Sequence, residues 1–407
     1  MRRNFRNLIS ILVLIISVSV ISCADEEEIV ETVESSIIDT PALYLLYTVN
    51  DPLTGTIGVS PVARVLIATI DGTSREILFE YPGHIFHIAP SPSGTHVAFV
   101  ATARGDDGHQ ERHFFLYDIS EKTTFDSSES GFYSRWVETG PLFSPDGAFA
   151  LFLSKPSSSS EDLNIFRCDV ASGEIQGIYT EPVEDIPLEL TPDGQSVIAV
   201  RRDPDSPDAY EYIAVNIETA ETTLIHRIEG MTRVGPGIID DRGEYLYCDV
   251  KIFEETAGTF GGSRSRQVYS INLSNGEEIR ILEIDTVSYV YQYYRDRDGN
   301  GRLLLRRQEV VEGEETPMSR IATCLTDGTD FQYLTDTDAR SYLVGPPPKN
   351  VRHISPDGTL LFFYRQDPVF ENEDIWIMNI DGTDAHNISN TAGYAEGSAG
   401  WLVINSD

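Results

Sequence analysis

Four short turns, each running into an alternating apolar strand, constrain this chain more than any other feature. Ser91-Pro92-Ser93-Gly94, Ser144-Pro145-Asp146-Gly147, Thr191-Pro192-Asp193-Gly194 and Ser355-Pro356-Asp357-Gly358 lead into HVAFVA, FALFLS, SVIAVR and LLFFYR. Looser versions stand at Asp240-Asp241-Arg242-Gly243 and Asp296-Arg297-Asp298-Gly299. Each opens on a turn-favouring residue and closes on Gly, where a positive φ costs little. Successive turns lie 53, 47, 49, 56 and 59 residues apart, about one four-stranded unit each. A second hairpin completes each unit. VLIATIDGTSREILF (65–79), NIFRCDVASGEIQGIY (164–179) and IWIMNIDGTDAHNIS (375–389) set Asp-Gly or Ser-Gly between alternating strands, a strong hairpin signal. One such sheet cannot bury both its faces alone, so the copies must pack on one another.

The pairing of SPDGTLLFFYR (355–365) with IWIMNIDGTDAHNIS resembles the TolB-type β-propeller repeat, a relative of the WD-repeat blade. The resemblance covers roughly residues 43–404 and implies an all-β propeller of four-stranded antiparallel blades, filling 42–407. Six full units span about 85–389. ALYLLYTV (42–49), VLIATI (65–70) and REILF (75–79) form strands two to four of a further unit, and GSAGWLVIN (397–405) supplies its missing first strand. The expectation is therefore seven blades, closed by pairing of the N- and C-terminal strands.

Residues 1–22 read as a leader rather than as part of the fold. MRRNFRN is basic, and LISILVLIISVSVI (8–21) is an apolar run too short to span a bilayer, which needs about 20 residues. Val20-Ile21-Ser22-Cys23 resembles a bacterial lipobox, which makes Cys23 the lipid-attachment residue. Arg2-Arg3 partly resembles a twin-arginine signal, but Arg6 breaks that pattern and favours the general secretory route. The acidic stretch 23–41 reads as a solvated tether; it also resembles the export signal of some surface lipoproteins. The expected location is the bacterial cell envelope, on the periplasmic face of the outer membrane or at the cell surface.

Without residues 1–22, which hold three Arg and no acid, 27 basic residues face 65 acidic ones, a net charge of −38. That field excludes nucleic acid as a partner. Apart from Cys23 the cysteines are Cys168, Cys248 and Cys324, an odd set with no zinc spacing, read as buried strand thiols.

In an up-and-down blade the first and third turns share one face of the disc. The middle loop and the link to the next blade share the other. The first and third turns here are short and repetitive, whereas middle segments such as NDPLTGTIGVSPVA, TARGDDGHQER, RDPDSPDAYE and IFEETAGTFGGSRSR are long and dissimilar. The diversified face is the expected seat of binding. Resemblance to TolB implies an envelope protein as its partner, with the membrane engaged only through Cys23.

The innermost strands add channel candidates: His87, Trp136, Glu189, Tyr291 and His353 precede the turns of five blades. Period-2 alternation sends about half of such residues into neighbouring strands instead. No catalytic residue is assigned, because no GxSxG elbow occurs and no peptidase domain is expected after the closing strand. His109-Gln-Glu-Arg-His113 is read as part of a solvated loop. No cofactor is expected. A structural divalent cation would fall on Asp296, Asp298 and Asn300, a run resembling the start of a calcium loop, although position twelve is Arg307 rather than Glu. The alternative to a non-enzymatic protein-binding scaffold is an enzyme or binder acting on polysaccharide, lyase-like with a channel metal.

Overall fold

The computed structural model describes residues 42–50, 62–104, 110–127, 140–155, 162–184, 188–229, 233–235, 237–254, 263–282, 287–309, 318–336, 341–343, 352–366, 373–390 and 395–404. All belong to one compact unit, Pro41–Asp407. The leader, Cys23, the acidic tether and Trp136 lie outside the described residues.

Seven antiparallel sheets form a seven-bladed β-propeller. Blade 1 joins Ala395–Ile404, innermost, to Ala42–Asn50, Ala63–Thr69 and Arg75–Tyr81. Blade 2 is Ile85–Pro90, His96–Arg104, Gln110–Asp118 and Thr123–Asp126. Blade 3 is Leu142–Phe143, Phe149–Ser154, Leu163–Asp169 and Ile175–Val183. Blade 4 is Glu189–Leu190, Ser196–Asp203, Ser206–Asn216 and Thr222–Glu229. In blade 5 the innermost strand is interrupted, so that Arg233–Val234 and Ile238–Ile239 both pair with Tyr245–Glu254, followed by Ser263–Asn272 and Glu278–Leu282. Blade 6 is Val287–Arg295, Gly301–Glu309, Met318–Leu325 and Gln332–Tyr333. Blade 7 is Ser341–Tyr342, extended by the bridge Ile354↔Leu361, then Leu360–Gln366, Glu373–Asn379 and His386–Asn387.

The expected closure is present. Ala42 pairs with Ile404 and Asn50 with Ala395, so the chain enters and leaves blade 1 at the same end as the short first turns.

Five of those turns share one geometry, which explains why Ser, Thr and Asp interchange at their first position. A side-chain oxygen there accepts the N–H that opens the next strand: Ser91 from His96 at 3.0 Å, Ser144 from Phe149 at 3.1 Å, Thr191 from Ser196 at 3.0 Å, Asp240 from Tyr245 at 3.0 Å and Ser355 from Leu360 at 2.9 Å. The Asp296 turn is one residue shorter: Asp296 accepts the N–H of Asn300, just before the next strand, at 2.9 Å. What the turn needs is an acceptor on a short side chain, and Asp supplies it as well as Ser. Hydrogen bonds from Ser144 and Ala148 hold the Asp146 carboxyl below its usual range.

The core lies between blades. Ala98, Val100, Phe114 and Leu116 of blade 2 meet Phe143, Phe152 and Phe166 of blade 3, with Phe114 stacked on Phe152 at 4.4 Å. Leu45 and Tyr47 of blade 1 meet Phe362, Tyr364 and Ile377 of blade 7. Phe79 of blade 1 lies 5.2 Å from Phe99 and 4.3 Å from Tyr117 of blade 2. Each blade thus completes its neighbour, and hydrophobic burial makes the ring cooperative. Cys168, Cys248 and Cys324 are free and buried, as expected, and burial pushes each thiol up to about 12.

Candidate functional site

The long-loop face differs from the sequence expectation most in blade 4. RDPDSPDAYE is not a long loop: Asp203 pairs directly with Ser206, leaving Pro204-Asp205 as a tight hairpin. Local turn chemistry (Pro-Asp in the turn) wins over the reading of the whole polar stretch as irregular. In blade 5, strand pairing continues to Glu254↔Ser263, well into the segment read as loop. In blade 6 it continues to Glu309↔Met318. The second and third strands therefore run on as two-stranded ribbons before they turn.

Beside the blade 4 hairpin the ribbon carries an ion-pair network. Arg201 donates from Nε to Glu211 at 2.8 Å, and from Nη1 to Glu181 at 2.9 Å and to the Tyr179 hydroxyl at 3.0 Å. Arg202 reaches Glu184 at 2.7 Å. Arg201, Arg202, Glu181 and Glu184, with Lys155 and Asp162, border a cavity of about 830 Å³ between blades 3 and 4. Its floor is Leu163, Pro182 and Val183, and its rim carries charge of both signs.

The channel candidates do not form one cluster. His353 is wholly buried: its Nδ1 lies 3.1 Å from the Phe362 carbonyl, its ring 4.7 Å from that of Phe362. Trp401 Nε1 donates to the His353 carbonyl at 3.0 Å. Burial pushes the imidazole down to about 4, against the pull of that carbonyl, so it is neutral through the physiological range. His87 is also buried, at a bulge between Ile85 and His87. Tyr291 is half-buried, edge-on to His353 with centroids 5.9 Å apart. Burial raises its hydroxyl above the usual phenol range, opposed by the charge and hydrogen bond of Arg306.

Glu189 stands apart from these. It opens the innermost strand of blade 4, opposite Ile198. Its side chain is half-buried. Burial pushes its carboxyl up to about 7, with Arg352 pulling the other way. Arg352 precedes the innermost bridge of blade 7 and is exposed. Blades 4 and 7 are three places apart in the ring, so the charge of Arg352 acts on Glu189 from a different blade. Arg352 was not a candidate from sequence. Its only signal is its place beside His353, where alternation turns it the opposite way.

Asp296, Asp298 and Asn300 sit on an ordinary first turn. The Asp296 carboxylate accepts the N–H groups of Asp298 and Asn300 at 3.0 and 2.9 Å and lies 3.6 Å from Arg302 Nη1. Among the described residues no three His, Cys, Asp or Glu side chains gather closely enough to hold a metal ion.

His113 corrects the reading of 109–113 as solvated loop. It lies on the strand Gln110–Asp118 and is buried. The strand register, Ala101↔His113, carries the residue into the sheet.

No protein-family model matches the chain, and neither does any curated protein. Solved structures do. An oligogalacturonate lyase in complex with manganese is 15% identical with a TM-score of 0.53, the match covering 87% of each chain. The β-propeller domain of the Trilobed protease from Pyrococcus furiosus is 15% identical with a TM-score of 0.51, covering 76% of this chain and 85% of that one. That domain is described as having an open velcro topology, whereas blade 1 here is closed by its two terminal strands. TolB from Acinetobacter baumannii is 14% identical with a TM-score of 0.48, covering 88% of this chain and 66% of that one. Such identities bear on the fold alone. The chain is a seven-bladed β-propeller with velcro-type closure.

Proposed function

We propose that this protein is a non-enzymatic, lipid-anchored envelope protein whose propeller is a scaffold for a protein partner, engaged through the long-loop face. One observation supports the reading above others, the asymmetry of the disc. Five first turns repeat a single hydrogen-bonded geometry, whereas the connections between second and third strands vary from a two-residue hairpin to twelve residues. Diversity on one face of a rigid scaffold is what selective binding requires. Because the chain enters at Ala42 on the short-turn face, an anchor at Cys23 would leave the long-loop face free. The strongly acidic chain favours a partner with a basic surface.

The test is affinity capture of the lipidated protein from mildly crosslinked membranes, in wild type and in variants shortened at 255–262 and 310–317. A single partner lost on shortening supports the scaffold; retention of that partner by both variants refutes this face as its site. Cys23→Ala must also abolish membrane fractionation, and unchanged fractionation would remove the anchor. Glu189 favours a second reading, catalysis on polysaccharide, because a carboxyl pushed up to about 7 is poised for general acid–base work. Depolymerisation of an acidic oligosaccharide by wild type but not by Glu189→Gln would establish that reading instead.

A further inference from the structure

The buried His113 has carboxylates on both sides. Its Nδ1 lies 3.1 Å from Asp126 Oδ1 and 3.4 Å from Oδ2, and its Nε2 lies 3.3 Å from Glu111 Oε2. A neutral imidazole has one N–H, so in that state one ring nitrogen would turn a lone pair toward a carboxylate. The doubly protonated ring satisfies both contacts. His113 is 5% exposed and Glu111 7%, so water cannot readily replace that contact, whereas the Asp126 side chain is half-buried.

We propose that Glu111, His113 and Asp126 form a pH-sensitive clasp that holds the outer strand of blade 2 shut at its long-loop end while His113 is doubly protonated, and frees it when that proton leaves. The cluster joins two strands. Glu111 and His113 are on the third strand, and Asp126 ends the fourth, opposite Phe115. That fourth strand, Thr123–Asp126, is four residues long, and its first two are exposed. Beyond it the ladder is continued only by the Phe114 N–H donating to Ser127 Oγ at 3.2 Å. Blades 6 and 7 use the same side-chain continuation, Ile321 to Thr335 at 3.1 Å and Ile375 to Ser389 at 2.8 Å, but without a histidine between carboxylates. Blade 2 alone, among the described residues, adds a titratable link.

The described neighbours of the ring are mostly uncharged. From the second strand, Ala101 faces His113 and carries no charge. From blade 1, the Tyr81 hydroxyl is committed to the Thr102 carbonyl at 2.9 Å, and the Asp126 charge, after burial, raises it further above the phenol range. Phe115 stacks on the imidazole at 6.0 Å. Arg112 projects from the opposite side of the strand, over the Phe86 ring at 4.0 Å, where it lowers His84 in addition to that residue's burial.

Burial by itself would drive the proton off His113. The hydrogen bonds and charges of Asp126 and Glu111 outweigh that effect and raise the ring above the ordinary histidine range. The clasp therefore acts fully below about pH 6.5, the unperturbed value, and is lost as pH rises through the higher folded value. On loss, the ring no longer offsets the charges of Glu111 and Asp126, and displacement of the short outer strand relieves them at least cost.

Amide hydrogen exchange on the intact propeller, corrected for intrinsic rates, is the test. Between pH 6 and pH 8.5, protection of 110–118 and 123–127 is expected to fall at least several-fold. Protection of Gln332–Tyr333 in blade 6 should stay level. In His113→Gln the blade 2 change should vanish, and in Asp126→Asn it should move to lower pH. Protection independent of pH in wild type, or an unchanged response in His113→Gln, overturns the proposal. If His113→Gln does not fold, the imidazole titration of wild type by NMR decides. A midpoint above 6.5 sustains the clasp, and one at or below 6.5 ends it.

Discussion

Gly94 and Gly147 hold equivalent places in the first turns of blades 2 and 3, at φ +71° and +72°, yet replacing each by Ala should have different consequences. At both, a non-glycine residue in the left-handed region costs about 1–2 kcal/mol. At Gly147 a Cβ would find open surroundings, the nearest atom being Ser93 Oγ at 3.5 Å. At Gly94 it would fall 1.9 Å from the Val403 carbonyl oxygen and 3.0 Å from its carbon, an overlap with backbone that no rotamer relieves. Val403 lies at the end of the closing strand, paired with Leu43, with Ala42↔Ile404 beyond it. Moving that end aside weakens about two ladder hydrogen bonds, each worth roughly 0.5–1.5 kcal/mol. Gly94→Ala should therefore cost about 3 kcal/mol and Gly147→Ala about 1–2 kcal/mol. Denaturant unfolding of both variants against wild type reads the difference as a larger fall in midpoint at similar slope. Trp401, buried in the same closing strand, should report it by native-state fluorescence in Gly94→Ala alone. Equal midpoint losses would refute the claim that this turn supports the closure.

Two further expectations follow from buried ionisable groups. Glu189 is raised to about 7, so the folded state holds a proton that the unfolded chain releases near 4.5; its burden on stability grows as pH rises from 4.5 and is full above 7. Glu189→Gln should thus stabilise by about 1–2 kcal/mol at pH 8, discounted for partial solvent contact, and leave stability at pH 4.5 nearly unchanged; an equal effect at both pH values would contradict the perturbation. The thiols of Cys168, Cys248 and Cys324, buried and raised to about 12, should resist a thiol reagent at pH 8 in the native propeller and all react once it is denatured. Rapid native labelling of any one would show that its blade opens.

The repeat made the fold legible because it is written in local chemistry. An oxygen at the turn's start and a glycine at its end recur wherever the first hairpin does, and even the degenerate Asp240 and Asp296 turns keep the acceptor. Closure was legible because strands 42–49, 65–70 and 75–79 lack an inner partner. The site was far less so. Position before a turn does not fix which way a side chain points when the inner strand is bulged, as at His87 and Tyr291, or is reduced to a bridge, as at Ile354 beside His353. Glu189 and Arg352 interact through space between blades 4 and 7, and no spacing records that. His113 was hidden because a polar run is the same whether it forms a loop or an ion-paired strand end.

The pairing of Ala42–Asn50 with Ala395–Ile404 also orders events during synthesis. Nearly every other strand finds its partner within the same fifty-odd residues, so the blades can form one after another as the chain emerges. Thr48, by contrast, waits for a carbonyl 350 residues away, that of Ser398. Until then the inner edge of Ala42–Asn50 is a bare row of amides and carbonyls, competent to recruit a wrong strand. A copy broken off before residue 395 would keep most of its local contacts and still carry that adhesive edge. The last strand to be made thus seals the first, and ring closure certifies that the propeller is whole.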